Sequence, residues 1–107
     1  MKEPEMTNEE LKISLELAKQ GEVLAQRNLG HMYSLDGDYE NAHYWLTEAS
    51  KQGDLESIYA LAVLYKLGHG VPKNIEMSFT FLKIAAMGGN AQAQQTLKEW
   101  EDAANNN

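Results

Sequence analysis

Gly53-Asp54-Leu55-Glu56-Ser57-Ile58-Tyr59-Ala60-Leu61-Ala62-Val63-Leu64-Tyr65 is a second version of an earlier run, Gly21-Glu22-Val23-Leu24-Ala25-Gln26-Arg27-Asn28-Leu29-Gly30-His31-Met32-Tyr33. With the two glycines in register, a third run opens at Gly89 and the neighbours fall into columns. Ala25, Ser57 and Ala93 lie four residues after their glycines, and Leu29, Leu61 and Leu97 lie eight after. Gly30 and Ala62 follow, and then Tyr33 and Tyr65. Counting backwards, Trp45 and Phe81 lie eight before, Ala49 and Ala85 four before, and Ala42 and Ser78 eleven before. Self-similarity at a fixed period is the signature of a stacked repeat architecture. The register gives two full repeats, 22–53 and 54–89, with half-repeats at 8–21 and 90–104.

Outward from those columns, each repeat reads as two helices. Leu24, Ala25, Leu29, Met32 and Tyr33 recur at helical spacing, as do Ala42, Trp45, Leu46 and Ala49 after a turn. Ile58, Leu61, Ala62 and Tyr65 form the next stripe, and Phe81, Leu82 and Ala85 another. The Ala, Gly and Ser columns let paired helices approach closely, and the aromatic columns, Trp45 among them, fill the wider gaps. Thr7-Asn8-Glu9-Glu10 has capping-box form, and Asp38, Asp54, Asn74 and Asn90 are further N-cap candidates. Gly21, Gly53 and Gly89 suit left-handed positions just past a helix end. The spacing predicts helices over 7–20, 22–35, 38–52, 54–67, 75–88 and 90–103. The fold expected is all-α: an α/α superhelix of two full helix-turn-helix repeats plus flanking capping helices. It forms one domain over 7–104, between a flexible N-terminus (1–6) and a disordered Asn tail (105–107). Lys98 and Glu101 stand where the repeats have Gly30/Ala62 and Tyr33/Tyr65, so the last helix is expected to close the stack and the chain to be complete.

Composition narrows the function classes. There is no Cys, which excludes disulfides, thiolate metal sites and a cysteine nucleophile. Lys2-Glu3-Pro4-Glu5 leads into no apolar run, and no window nears the ~20 apolar residues of a membrane span, so a cytoplasmic location is expected. The net charge of −7 disfavours nucleic acid and anionic membranes and favours a basic partner.

The stretch Ala60-Leu61-Ala62-Val63-Leu64-Tyr65-Lys66-Leu67-Gly68-His69-Gly70-Val71-Pro72-Lys73-Asn74, followed by Ala85-Ala86 and Gly89-Asn90-Ala91-Gln92-Ala93, resembles the Sel-one-like repeat, a cousin of the tetratricopeptide repeat. The first repeat is shorter between its helices, and its Gly37-Asp38-Tyr39-Glu40-Asn41-Ala42 is nearer the tetratricopeptide turn. The resemblance implies an interaction scaffold or adaptor, and nothing in the residues points to an enzyme or a cofactor. It also implies that the first helix of each pair lines a concave groove. The groove positions become Leu24, Arg27, His31 and Ser34, then Glu56, Tyr59, Val63 and Lys66, and finally Gln92, Gln95 and Glu99. This mixed surface suits a peptide or a protein segment. Replacing Arg27, Tyr59 and Lys66 is expected to weaken binding without lowering the melting temperature.

Other chemistry finds less support. The loop Leu67–Asn74 lacks the Gly-x-x-x-x-Gly-Lys-Ser/Thr phosphate-cradle spacing and follows no strand, so its glycines read as a chain reversal. His31, His43 and His69 have no i,i+4 pairing, and no metal site is expected. Met32, Met77 and Met87 read as core filler or packing rim. Trp100 is open to either burial or partner contact. The alternative function is a small acidic cytoplasmic inhibitor, such as an immunity protein that masks a basic toxin or enzyme. Asp36, Asp38, Glu40 and Glu48 would then dominate the contact.

Overall fold

The computed structural model describes residues 6–106, so Met1–Glu5 of the expected flexible N-terminus and Asn107 lie outside the described residues. Six helices follow one another: α1 (Asn8–Lys19), α2 (Val23–Leu35), α3 (Tyr39–Lys51), α4 (Leu55–Leu67), α5 (Ile75–Met87) and α6 (Ala91–Asn105). No strand occurs among the described residues, and no helix there is long and apolar enough to cross a membrane.

The starts are fixed by side-chain caps. Thr7 accepts from the Glu10 N–H, and Asp38, Asp54, Asn74 and Asn90 accept from the N–H groups of Asn41, Ser57, Met77 and Ala93. Helix α2 alone has no such cap, because Glu22 is held by the preceding turn, where its N–H donates to the Leu17 carbonyl at 3.1 Å. That turn needs Gly21 at φ 95°, a conformation costly for a residue with a Cβ; Gly53 and Gly89 serve the next two first-helix entries alike. Helix α6 outruns the expected end at 103. Ala103 and Ala104 continue it to Asn105, and the Asn106 N–H closes on the Asp102 carbonyl at 3.1 Å, so the expected tail is helical as far as Asn105.

The helices pack in chain order, α1 on α2 through α5 on α6, and α2 also meets α4, giving an elongated body of 51 × 28 × 27 Å. Leu29, Leu61 and Leu82 are fully buried, and Ala42, Ala49, Ala85 and Ala93 have no exposed surface. The closest approach is at Gly30, where a Cβ would stand 2.5 Å from Leu46 Cδ2. Among the described residues Thr47 Oγ1 is buried without a hydrogen-bond partner, but other buried polar groups are paired. Ser78 Oγ donates to the Ala62 carbonyl at 2.6 Å, and Gln26 Nε2 donates to the Ala18 carbonyl at 3.0 Å. Gln94, in the same column as Gln26, donates to Ala86 in the same way.

Trp45 is buried, as its column requires. Trp100 is partly buried, packed on the last core cluster and stacked on Phe79 with ring centroids 6.2 Å apart. The methionine reading needs correction: Met32 packs against the Trp45 cluster, but Met77 is exposed and Met87 is 88% exposed, because both point outward from α5. The loop after α4 reverses the chain and also braces the repeats. His69 stacks on Tyr39 at 4.2 Å, and a Cβ on Gly70 would lie 2.6 Å from the Tyr39 carbonyl oxygen.

Candidate binding groove

Helices α2 and α4 stand side by side at the start of consecutive repeats, and α6 takes the equivalent place after them. A cavity of about 700 Å³ opens on this side, floored by Leu46, Ala60 and Leu64 and walled by α2 and α4. Arg27, His31, Ser34, Glu56, Tyr59, Val63 and Gln92 all line it. A smaller hollow of about 230 Å³ continues toward α6, and Lys66 and Glu99 line it with Trp100. Tyr59 and Val63 border both hollows.

Leu24 and Gln95 line neither. Leu24 is 59% exposed near the start of α2, and Gln95 donates to Glu99 Oε1 at 3.0 Å along the surface of α6. Sequence reasoning passed over Asn28, Leu35, Ala60, Leu67, Tyr39 and His69, which also border the larger cavity. A signal for two of them was present: Leu35 and Leu67 share a column fourteen residues past their glycines, and both are exposed leucines at a helix end.

The electrostatics of the groove centre on Arg27. Its guanidinium grips Asp54 through two nitrogens, Nη2 to Oδ1 at 2.6 Å and Nε to Oδ2 at 3.0 Å, and Nε lies 3.2 Å from Glu56 Oε2. Asp54 simultaneously caps α4, accepting from the Ser57 N–H at 3.1 Å and its hydroxyl at 2.6 Å. The Arg27 hydrogen bonds, outweighing burial, hold the Asp54 carboxyl below its ordinary 3.8, and the Arg27 guanidinium is raised in turn by the same bond. Arg27 is therefore a tie between repeats as well as a groove residue. Lys66 is engaged too, with Nζ 5.1 Å from the centroid of the Trp100 ring. The Tyr59 hydroxyl lies 3.5 Å from Thr96 Oγ1, which bridges α4 to α6.

The histidines are dispersed. His31 faces solvent in the groove, His69 is stacked on Tyr39, and His43 sits between α3 and α4 with Nε2 3.2 Å from the Tyr65 hydroxyl. Burial pushes the His43 imidazole below its ordinary 6.5.

Two matches to the Sel1 repeat model fall on residues 23–54 and 55–90, covering α2 with α3 and α4 with α5. The chain belongs to the Sel1 repeat family. Its fold is similar to the crystal structure of a Sel1 repeat protein from Oxalobacter formigenes, at a TM-score of 0.75 and 30% sequence identity, over 88% of this chain and 74% of that one. Sel1 repeats are generally protein-interaction modules and typically non-enzymatic, and the helix-after-helix packing seen here is the architecture they share.

Proposed function

We propose that this Sel1 repeat chain is a non-enzymatic adaptor that receives a peptide or protein segment in the groove of α2, α4 and α6. The observation that carries this reading is the cavity of about 700 Å³, with an aliphatic floor and the polar groups of His31, Ser34 and Gln92 at its walls. An apolar floor with a few directional polar groups suits a side chain or two of an extended segment. Tyr59, common to both hollows, is the expected hot spot, since aromatic anchors carry a disproportionate share of interface energy. A cytoplasmic setting fits a chain without cysteine.

The test is a pull-down from the native cell with the wild type beside Tyr59→Ala and Val63→Glu, and with Tyr44→Ser, exposed on α3 and outside the groove lining, as control. A partner retained by the wild type and Tyr44→Ser, but lost from both groove variants while circular dichroism shows them folded at the assay temperature, supports the reading. Retention by all four defeats it. The net charge of −7 supports a second reading, an inhibitor of a basic enzyme, with Asp36 and Asp38 exposed between α2 and α3 and Glu40 exposed in the first turn of α3. That version requires an association rate that drops steeply with salt and falls when those carboxylates are neutralised.

A further inference from the structure

The two ends of the stack differ. In each full repeat the second helix packs against the first, and its largely covered columns are Ala42, Trp45, Leu46 and Ala49 on α3, with α5 carrying Ser78, Phe81, Leu82 and Ala85. Helix α1 is a second-type helix, and its residues in those columns are Glu10, Ile13, Ser14 and Leu17. Among the described residues no first-type helix stands on them. Ile13 is 58% and Leu17 41% exposed, where Trp45 is 7% exposed and Ala49 fully buried. The neighbouring edge of α2 is open as well. Asp54 and Glu56 of α4 meet Arg27 of α2, and the residues of α2 in their columns are Glu22 and Leu24, the latter 59% exposed. At the far end, by contrast, the equivalent outer positions of α6 are Lys98 and Glu101, both exposed and charged.

We propose that this open end, Ile13 and Leu17 of α1 with Leu24 of α2, is a docking seat for a basic amphipathic helix of a partner protein. This face is separate from the groove, which none of Ile13, Leu17 and Leu24 lines. The repeats themselves set the shape of the occupant: a helix presenting a small residue where Gly30 and Ala62 stand. The rim sets its charge. At about 100° per residue, Glu9, Glu10 and Glu16 lie within about 60° of Ile13 around α1, whereas Lys12 and Lys19 lie about 100° or more away. Glu22, just before α2, adds a fourth carboxylate in the column where Asp54 takes Arg27. None of these four carboxylates is in an ion pair among the described residues. A lone apolar stripe bordered by unpaired carboxylates selects a helix with lysine or arginine beside its leucines.

The probe is a labelled synthetic peptide of ~18 residues, long enough to hold helix in water. It carries leucines along one face, a central glycine with arginine three residues before it, and lysines at the border. A second peptide has every cation replaced by glutamate. Titrated by fluorescence anisotropy against the full chain, the basic peptide should bind. Ile13→Ser or Leu17→Ser, which remove the apolar contact without adding charge, should weaken binding about tenfold or more. Both sites are solvent-facing, so helicity and melting temperature report any misfolded variant, and Leu24→Ser supplies an independent third substitution. Val63→Glu in the groove should leave the affinity unchanged. No binding by the basic peptide, equal binding by the acidic one, or indifference to all three substitutions would overturn the proposal. So would self-association in sedimentation that Ile13→Ser abolishes, since a second copy would then own the seat.

Discussion

Arg27 joins two carboxylates at once, Asp54 and Glu56, and the cost of removing it follows from what it would leave behind. In Arg27→Ala, Asp54 keeps its cap to Ser57 but loses its cation while its side chain is only 7% exposed. Because Arg27 is itself 31% exposed, the loss should be about 1–2 kcal/mol, read as a lower urea midpoint, and not the larger cost of a fully buried pair. The sign of the acid dependence is fixed: Asp54 is depressed in the folded state, so its contribution is present above 3.8 and fades as pH falls through the folded value. Arg27→Ala should lose part of that acid sensitivity. His43 works over a higher window. Its folded value lies below 6.5, so the folded state resists protonation, and stability is highest above 6.5 and declines as pH falls toward the depressed value. His43→Gln should flatten the melting-temperature profile in that window; an unchanged slope would acquit the residue.

Between helices, the small-residue columns are the controlling contacts. A Leu at position 30 would overlap Leu46, and a Leu at 62 would press on α5 where Ser78 Oγ donates to the residue-62 carbonyl. Each of Gly30→Leu and Ala62→Leu should cost about 1–3 kcal/mol in chemical denaturation, while Lys98→Leu should cost almost nothing. Equal midpoints for the three would contradict the register. These columns were legible in the sequence because close helix approach tolerates few residue types, so the same position repeats the same kind of residue. The caps were legible for a similar reason: one residue and the N–H three positions on suffice. The Arg27–Asp54 tie was not, since it links residues in different columns of different repeats, and neither residue recurs in the other repeat at the matching place. The stacking of His69 on Tyr39 escaped notice because loop length differs between the repeats, which breaks the alignment where the contact forms.

For the whole molecule, the sequence placed most of the groove positions on one side, and it missed at the ends. Leu24 and Gln95 fail as groove residues because a stack this short turns them toward its terminal and outer surfaces, which a register carried over from longer arrays does not anticipate. The two tryptophans fall on either side of that divide between interior and surface. Trp45 is sealed in the first repeat, whereas Trp100 forms part of the smaller hollow, under the ammonium of Lys66. The protein therefore contains its own optical gauge. An occupant reaching the α6 end of the groove would displace water and Lys66 from the Trp100 indole and move its emission to shorter wavelength, leaving the Trp45 signal as an internal standard. In Trp100→Phe the spectrum should stay fixed on addition of the same partner, so filling of the groove can be followed without any attached dye.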